Sequence, residues 1–134
     1  MQILVDLISK QVADAFEAAG FDRSFGKATL SNRPDLCEFQ CNGAMPAAKT
    51  YHKAPIQIAS AVCEKLADCQ MFESVEAVNP GFLNMKLSGE YLAQFLREMQ
   101  TSDRFGVEPD ANARTIVLDY GGPNVAKPLH VGHL

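Results

Sequence analysis

Residues 72–87 read FESVEAVNPGFLNMKL. Asn79-Pro80-Gly81 interrupts two apolar runs, and the stretch predicts strands at 72–78 and 82–87 joined as a hairpin. Pro80 followed by Gly81 suits the second and third positions of a type II turn. On the second strand, period two puts Leu83, Met85 and Leu87 on one face and Phe82, Asn84 and Lys86 on the other. With the aliphatic face turned to a core, an aromatic ring, an amide and an ammonium line up toward solvent. That is a stacking platform, an edge reader and a phosphate partner, the equipment for gripping an unpaired base of an RNA loop. The row is not specific by itself, because a Phe at a strand start more often packs under a neighbouring loop.

Helical patterns flank the hairpin. Ile3, Leu4, Leu7, Ile8, Val12, Ala15, Phe16 and Ala19 recur at three- and four-residue steps, predicting an amphipathic helix over 2–19 closed by Gly20. A short strand is expected near 27–31, a turn at Asn32-Arg33-Pro34-Asp35, and a second strand around 37–40. Asn42 reads as the N-cap of a helix running to about Thr50, with Pro46 in its first turn. Pro55 opens another helix, with Ile58, Ala59, Val62, Cys63 and Leu66 on its buried face. Beyond the hairpin, Ser88 caps a helix carrying Tyr91, Leu92, Phe95, Leu96 and Met99, and Glu90 suits its first turn.

At 134 residues the chain can bury one ordinary core. Its 47% hydrophobic and 21% charged content is that of a globular protein. No apolar run approaches the ~20 residues that span a bilayer, and MQILVDLISK lacks a basic region before an apolar block. The chain is therefore expected in the cytoplasm and without a membrane partner; it is also expected to be a monomer. Cys37, Cys41, Cys63 and Cys69 fit no zinc or CxxC spacing and are expected to be reduced, half-buried thiols. The formal charge of −4 argues against a general nucleic-acid binder, yet it is unevenly spread. Arg23, Lys27, Arg33, Lys49 and Lys53 face only Asp35 and Glu38 over 23–53, whereas 54–119 is acidic on balance. The basic section could face a phosphate backbone, although a solvated surface explains any one of these charges.

The last stretch, TIVLDYGGPNVAKPLHVGHL at 115–134, has a different organisation. Ile116, Val117 and Leu118 have the composition of a buried strand; a Gly- and Pro-dense turn follows, ending at His130-Val131-Gly132-His133. If a helix starts at Leu129, the two histidines share a face of its first turn, where free N–H groups favour phosphate. Gly132, lacking a Cβ, would let a base or ribose lie on the backbone. A metal half-site is the competing reading of the pair, but His52 is the only other histidine and no metal site is expected.

H-x-G-H after a first strand resembles the signature of class I aminoacyl-tRNA synthetases, and PNVAKPLHVGHL at 123–134 resembles the arginyl-tRNA synthetase version of it. The string Glu38-Phe39-Gln40-Cys41-Asn42-Gly43-Ala44-Met45 is similar to a stretch of that family's N-terminal domain, as is the Pro80-Gly81-Phe82-Leu83-Asn84 hairpin. The resemblance implies an α+β unit over 1–105, helices packed on a small antiparallel sheet, that binds tRNA. A linker at 106–114 would follow. Residues 115–134 would be the first strand and signature turn of an incomplete Rossmann-type catalytic domain. It further implies a parent enzyme that activates arginine with ATP and Mg2+ and transfers it to tRNA. His130 and His133 would be catalytic and hold the ATP phosphates, Gly132 would admit the adenosine, and Asn124 would lie in the amino-acid pocket. Gly121 and Gly122 stand where the family usually has small hydroxyl residues, a departure at the substrate's amino group. Asn79, Phe82 and Asn84 fall at positions that touch the tRNA D-loop. The chain is read as an N-terminal fragment, inactive alone, with exposed Ile116, Val117 and Leu118 if no sheet neighbours are present. Two other readings are a stand-alone RNA-binding module and a different H-x-G-H nucleotidyltransferase; Pro-Asn-x-Ala-Lys-Pro argues against the second.

Overall fold

A computed structural model of the chain describes residues 4–107, 109, 111–119, 128 and 131. The first apolar stripe folds as α1, Leu4–Ala18, and buries Ile8, Val12, Ala15 and Phe16. Its end is the one that the sequence predicts. Gly20 has φ +86°, its N–H donates to the Glu17 carbonyl at 2.9 Å, and the Phe21 N–H donates to the Phe16 carbonyl at 2.9 Å. These two bonds satisfy carbonyls that the helix itself leaves free.

A single 3-10 turn, Arg23–Phe25, leads into β1, Ala28–Leu30, and after the turn at 33–36 the chain returns as β2, Phe39–Cys41. Two helices follow, α2, Ala44–Tyr51, and α3, Pro55–Leu66, with Pro55 at the start of α3 as expected. The hairpin is β3, Phe72–Val78, and β4, Phe82–Leu87. Ser88 then caps α4, Gly89–Gln100, its hydroxyl accepting the Tyr91 N–H. The strands form one antiparallel sheet in the order β1-β2-β4-β3, so β4 lies between its hairpin partner and a strand more than forty positions earlier in the chain.

The core lies between one face of this sheet and α1 with α3. Leu83, Met85 and Leu87 all point into it, as their period predicts, beside Phe39 and Cys41 from β2 and Ile58, Ala59, Val62 and Leu66 from α3. α4 is attached more lightly: Tyr91 packs against the core, no residue of the helix is buried, and Leu96 is 51% exposed.

Three expectations are corrected. The N-cap of α2 is Gly43, not Asn42, and makes no side-chain cap bond. A Cβ on Gly43 would lie 1.8 Å from the Phe25 carbonyl oxygen, so close backbone approach decides this position. The hairpin turn is not type II: Gly81 lacks the positive φ that type II requires at its third position. Gly81 is instead pressed on Pro55, whose Cβ would be 2.6 Å from an added Cβ. Among the cysteines, Cys63 and Cys69 are half-buried as expected, but Cys37 and Cys41 are fully buried, and all four are free thiols. Ile116, Val117 and Leu118 pair with no strand among the described residues and are 76%, 86% and 73% exposed, as expected of this segment without sheet neighbours. Composition suits these residues to a sheet interior, and here no neighbouring strand covers them.

Candidate nucleic-acid interface

The sheet face opposite the helices is built by the strand register. Gln40 pairs with Thr29 on one side and Asn84 on the other, and Asn84 pairs with Glu76. These four residues make a polar row across all four strands. One step toward the hairpin tip, Phe82 pairs with Val78. Continuing the β1–β2 and β2–β4 registers by one residue sets Asn42 beside Phe82 and Lys27 beside Asn42. One step the other way, Lys86 pairs with Ser74.

The amides of the middle row are held in place. Gln40 Nε2 donates to Asn84 Oδ1 at 2.9 Å, and the Thr29 hydroxyl donates to the Gln40 carbonyl at 3.3 Å. Asn84 therefore keeps its own N–H groups available, while its oxygen is engaged. Glu38 ties β2 to the end of β4 by accepting the Leu87 N–H at 2.9 Å. Phe82 is half-buried, Val78 is 38% exposed, and Asn79 is exposed at the tip. Lys86 is exposed, with no ion pair among the described residues.

Phe82 and Asn84 are thus brought onto one accessible face, with Asn79 exposed in the turn that precedes Phe82. Asn124, His130, Gly132 and His133 lie outside the described residues. Sequence reasoning passed over Gln40, Asn42 and Lys27 as neighbours of Phe82. A period-two pattern through Gln40 and Asn42 was the available signal, but the pairing of β2 with β4 is not local.

This face holds an aromatic ring, carboxamides and ammonium groups, with the Glu76 carboxylate beside Asn84, a set suited to binding. Thiol chemistry elsewhere in the domain is suppressed. Burial pushes the Cys41 thiol up, and its Sγ donates to the Phe25 carbonyl at 3.4 Å; burial likewise raises Cys63. At the 3-10 turn, bonds from Ser24 hold the Asp22 carboxylate below its ordinary value, which is helix-start capping.

Comparison with known proteins agrees with this architecture. Residues 3–87 match the family described as the arginyl tRNA synthetase N terminal domain, and residues 96–134 match the catalytic domain of class I (R) tRNA synthetases. The arginine–tRNA ligase of Agathobacter rectalis is 57% identical over 135 residues, covering 100% of this chain and 23% of the relative. That of Alkaliphilus oremlandii is 51% identical, with 100% and 23% covered. The chain thus spans about a quarter of the length of these relatives. The crystal structure of arginyl-tRNA synthetase from Plasmodium falciparum superposes with a TM-score of 0.61 at 19% identity, covering 74% of this chain and 18% of that one. The last similarity bears on fold alone; the sequence matches carry the assignment, and the chain belongs to the arginyl-tRNA synthetase family.

Proposed function

We propose that this chain is the tRNA-binding front of an arginine–tRNA ligase and that its hairpin face receives an unpaired nucleotide of the tRNA D-loop. Phe82 stacks on the base, and Asn79 and Asn84 hydrogen-bond its edge. The observation supporting this most is the division of β4: Leu83, Met85 and Leu87 are buried, while Phe82 and Asn84 stay accessible beside the exposed Asn79. A ring with one face free can stack on any base, and amides at its side can read an edge.

In the same proposal residues 1–105 form the tRNA handle, 106–114 a linker and 115–134 the start of the catalytic domain. The parent enzyme activates arginine with ATP and Mg2+ and passes it to the terminal ribose of tRNA. His130 and His133 would stabilise the ATP phosphates, Gly132 would admit the adenosine and Asn124 would meet the amino acid. These residues act by positioning and electrostatics. By itself the 134-residue chain is expected to support no arginine-dependent pyrophosphate exchange, which a radiolabel exchange assay would check.

The stacking role is tested by titrating an arginine-tRNA transcript into the parent chain and into Phe82→Ala. Loss of about 1–3 kcal/mol, roughly 5- to 150-fold in affinity, is expected. Equal affinity for the two proteins would remove the hairpin from the interface.

A further inference from the structure

Beside the hairpin runs a groove that base stacking does not account for. It consists of two adjoining hollows that share Pro46: one is bordered by Lys27, Thr29 and Asn42, the other by Lys49 and Pro55. Asn42 is the next register step from Phe82, and Pro55 is the residue on which Gly81 is pressed. The groove therefore begins where the stacked base would end.

Its charge is one-sided. Lys27 and Lys49 are exposed and form no ion pair among the described residues. Arg23 is engaged with Asp14 and Glu17, and Arg33 with Asp35. No carboxylate borders either hollow, and α2, which forms the wall between them, carries no acidic residue. Ala48, which borders one of the hollows, is small and leaves that side low. A path floored by apolar side chains and edged by two unneutralised ammonium groups and the Asn42 amide, with no carboxylate among its lining residues, is complementary to a polyanion.

We infer that this groove holds the sugar–phosphate backbone of the unpaired nucleotides flanking the base at Phe82, with Lys27 and Lys49 each taking a phosphate. The inference rests on the hairpin reading above and adds to it a path and a polarity-independent grip. Phosphate contacts fix the position of a nucleic acid without reading its sequence, and each releases counterions.

Salt dependence separates the two roles. Affinity of the 134-residue chain for an arginine-tRNA transcript is measured across a KCl series for the parent, Lys27→Ala/Lys49→Ala, Phe82→Ala and Lys53→Ala. Lys53 sits over the Phe21 ring, 5.5 Å from its centroid, outside the groove. Two lost phosphate contacts on a single strand should reduce the slope of log K against log[KCl] by about 1.4. Phe82→Ala should weaken binding at every salt concentration with the slope intact, and Lys53→Ala should match the parent. An unchanged slope in the double variant, with Phe82→Ala still weak, overturns the groove and leaves the hairpin reading standing. An equal drop in slope with Lys53→Ala shows diffuse attraction and also overturns it. If neither variant alters binding, both readings fall.

Discussion

Gly43 shows how one residue can be fixed by a distant stretch of backbone. The Phe25 carbonyl oxygen lies where its Cβ would be, and both groups are main chain that cannot turn aside. Gly43→Ala should therefore cost about 3 kcal/mol in urea unfolding, whereas Gly89→Ala, with open space around it, should change stability little. Gly20, Pro55 and Ser88 were legible from the sequence because the groups they serve lie within a few residues. Gly43 was not, since its neighbour is 18 positions away. Cys41 offers a pH test. Burial raises its thiol above the ordinary 9.0, so above that pH the unfolded chain ionises while the fold keeps the proton. Stability is then full below about pH 9 and should fall as pH rises above it, measured by the denaturation midpoint. Iodoacetamide at neutral pH should label Cys41 only after urea is added.

Helices and strands repeat this contrast. The inner face of β4 followed from period two alone, because alternation is a property of the strand itself. Leu83 and Met85 are fully buried, and Met85→Ala should cost about 2–5 kcal/mol, read as a lower thermal or urea midpoint. α4 was also legible as a helix, yet its pattern did not reveal how little of it would be covered. With no buried residue, against four in α1, its amides should exchange hydrogen well before those of α1 or α3 in native-state exchange experiments. Residues 116–118 mark the opposite limit. Their composition is that of a buried strand, but a ladder needs a partner, and partner strands are not written in the segment itself.

In the whole molecule, the sheet order supplies what the sequence could not. Placing β2 beside β4 sets Gln40 against Asn84 and carries Asn42 and Lys27 toward Phe82. Two helices and a strand intervene between those partners in the chain, so local patterning found the aromatic and its amides but not their neighbours. Net charge, −4 over the chain, hid the one-sided groove for a similar reason: its lysines are few, and what matters is that no carboxylate among the described residues lines it. The account turns on where RNA meets this sheet. Nuclease footprinting of an arginine-tRNA transcript with the parent chain and with Phe82→Ala tests it most directly. Protection confined to the D-loop, and lost with Phe82→Ala, is predicted; protection elsewhere on the tRNA, or a D-loop footprint that survives the substitution, would contradict it.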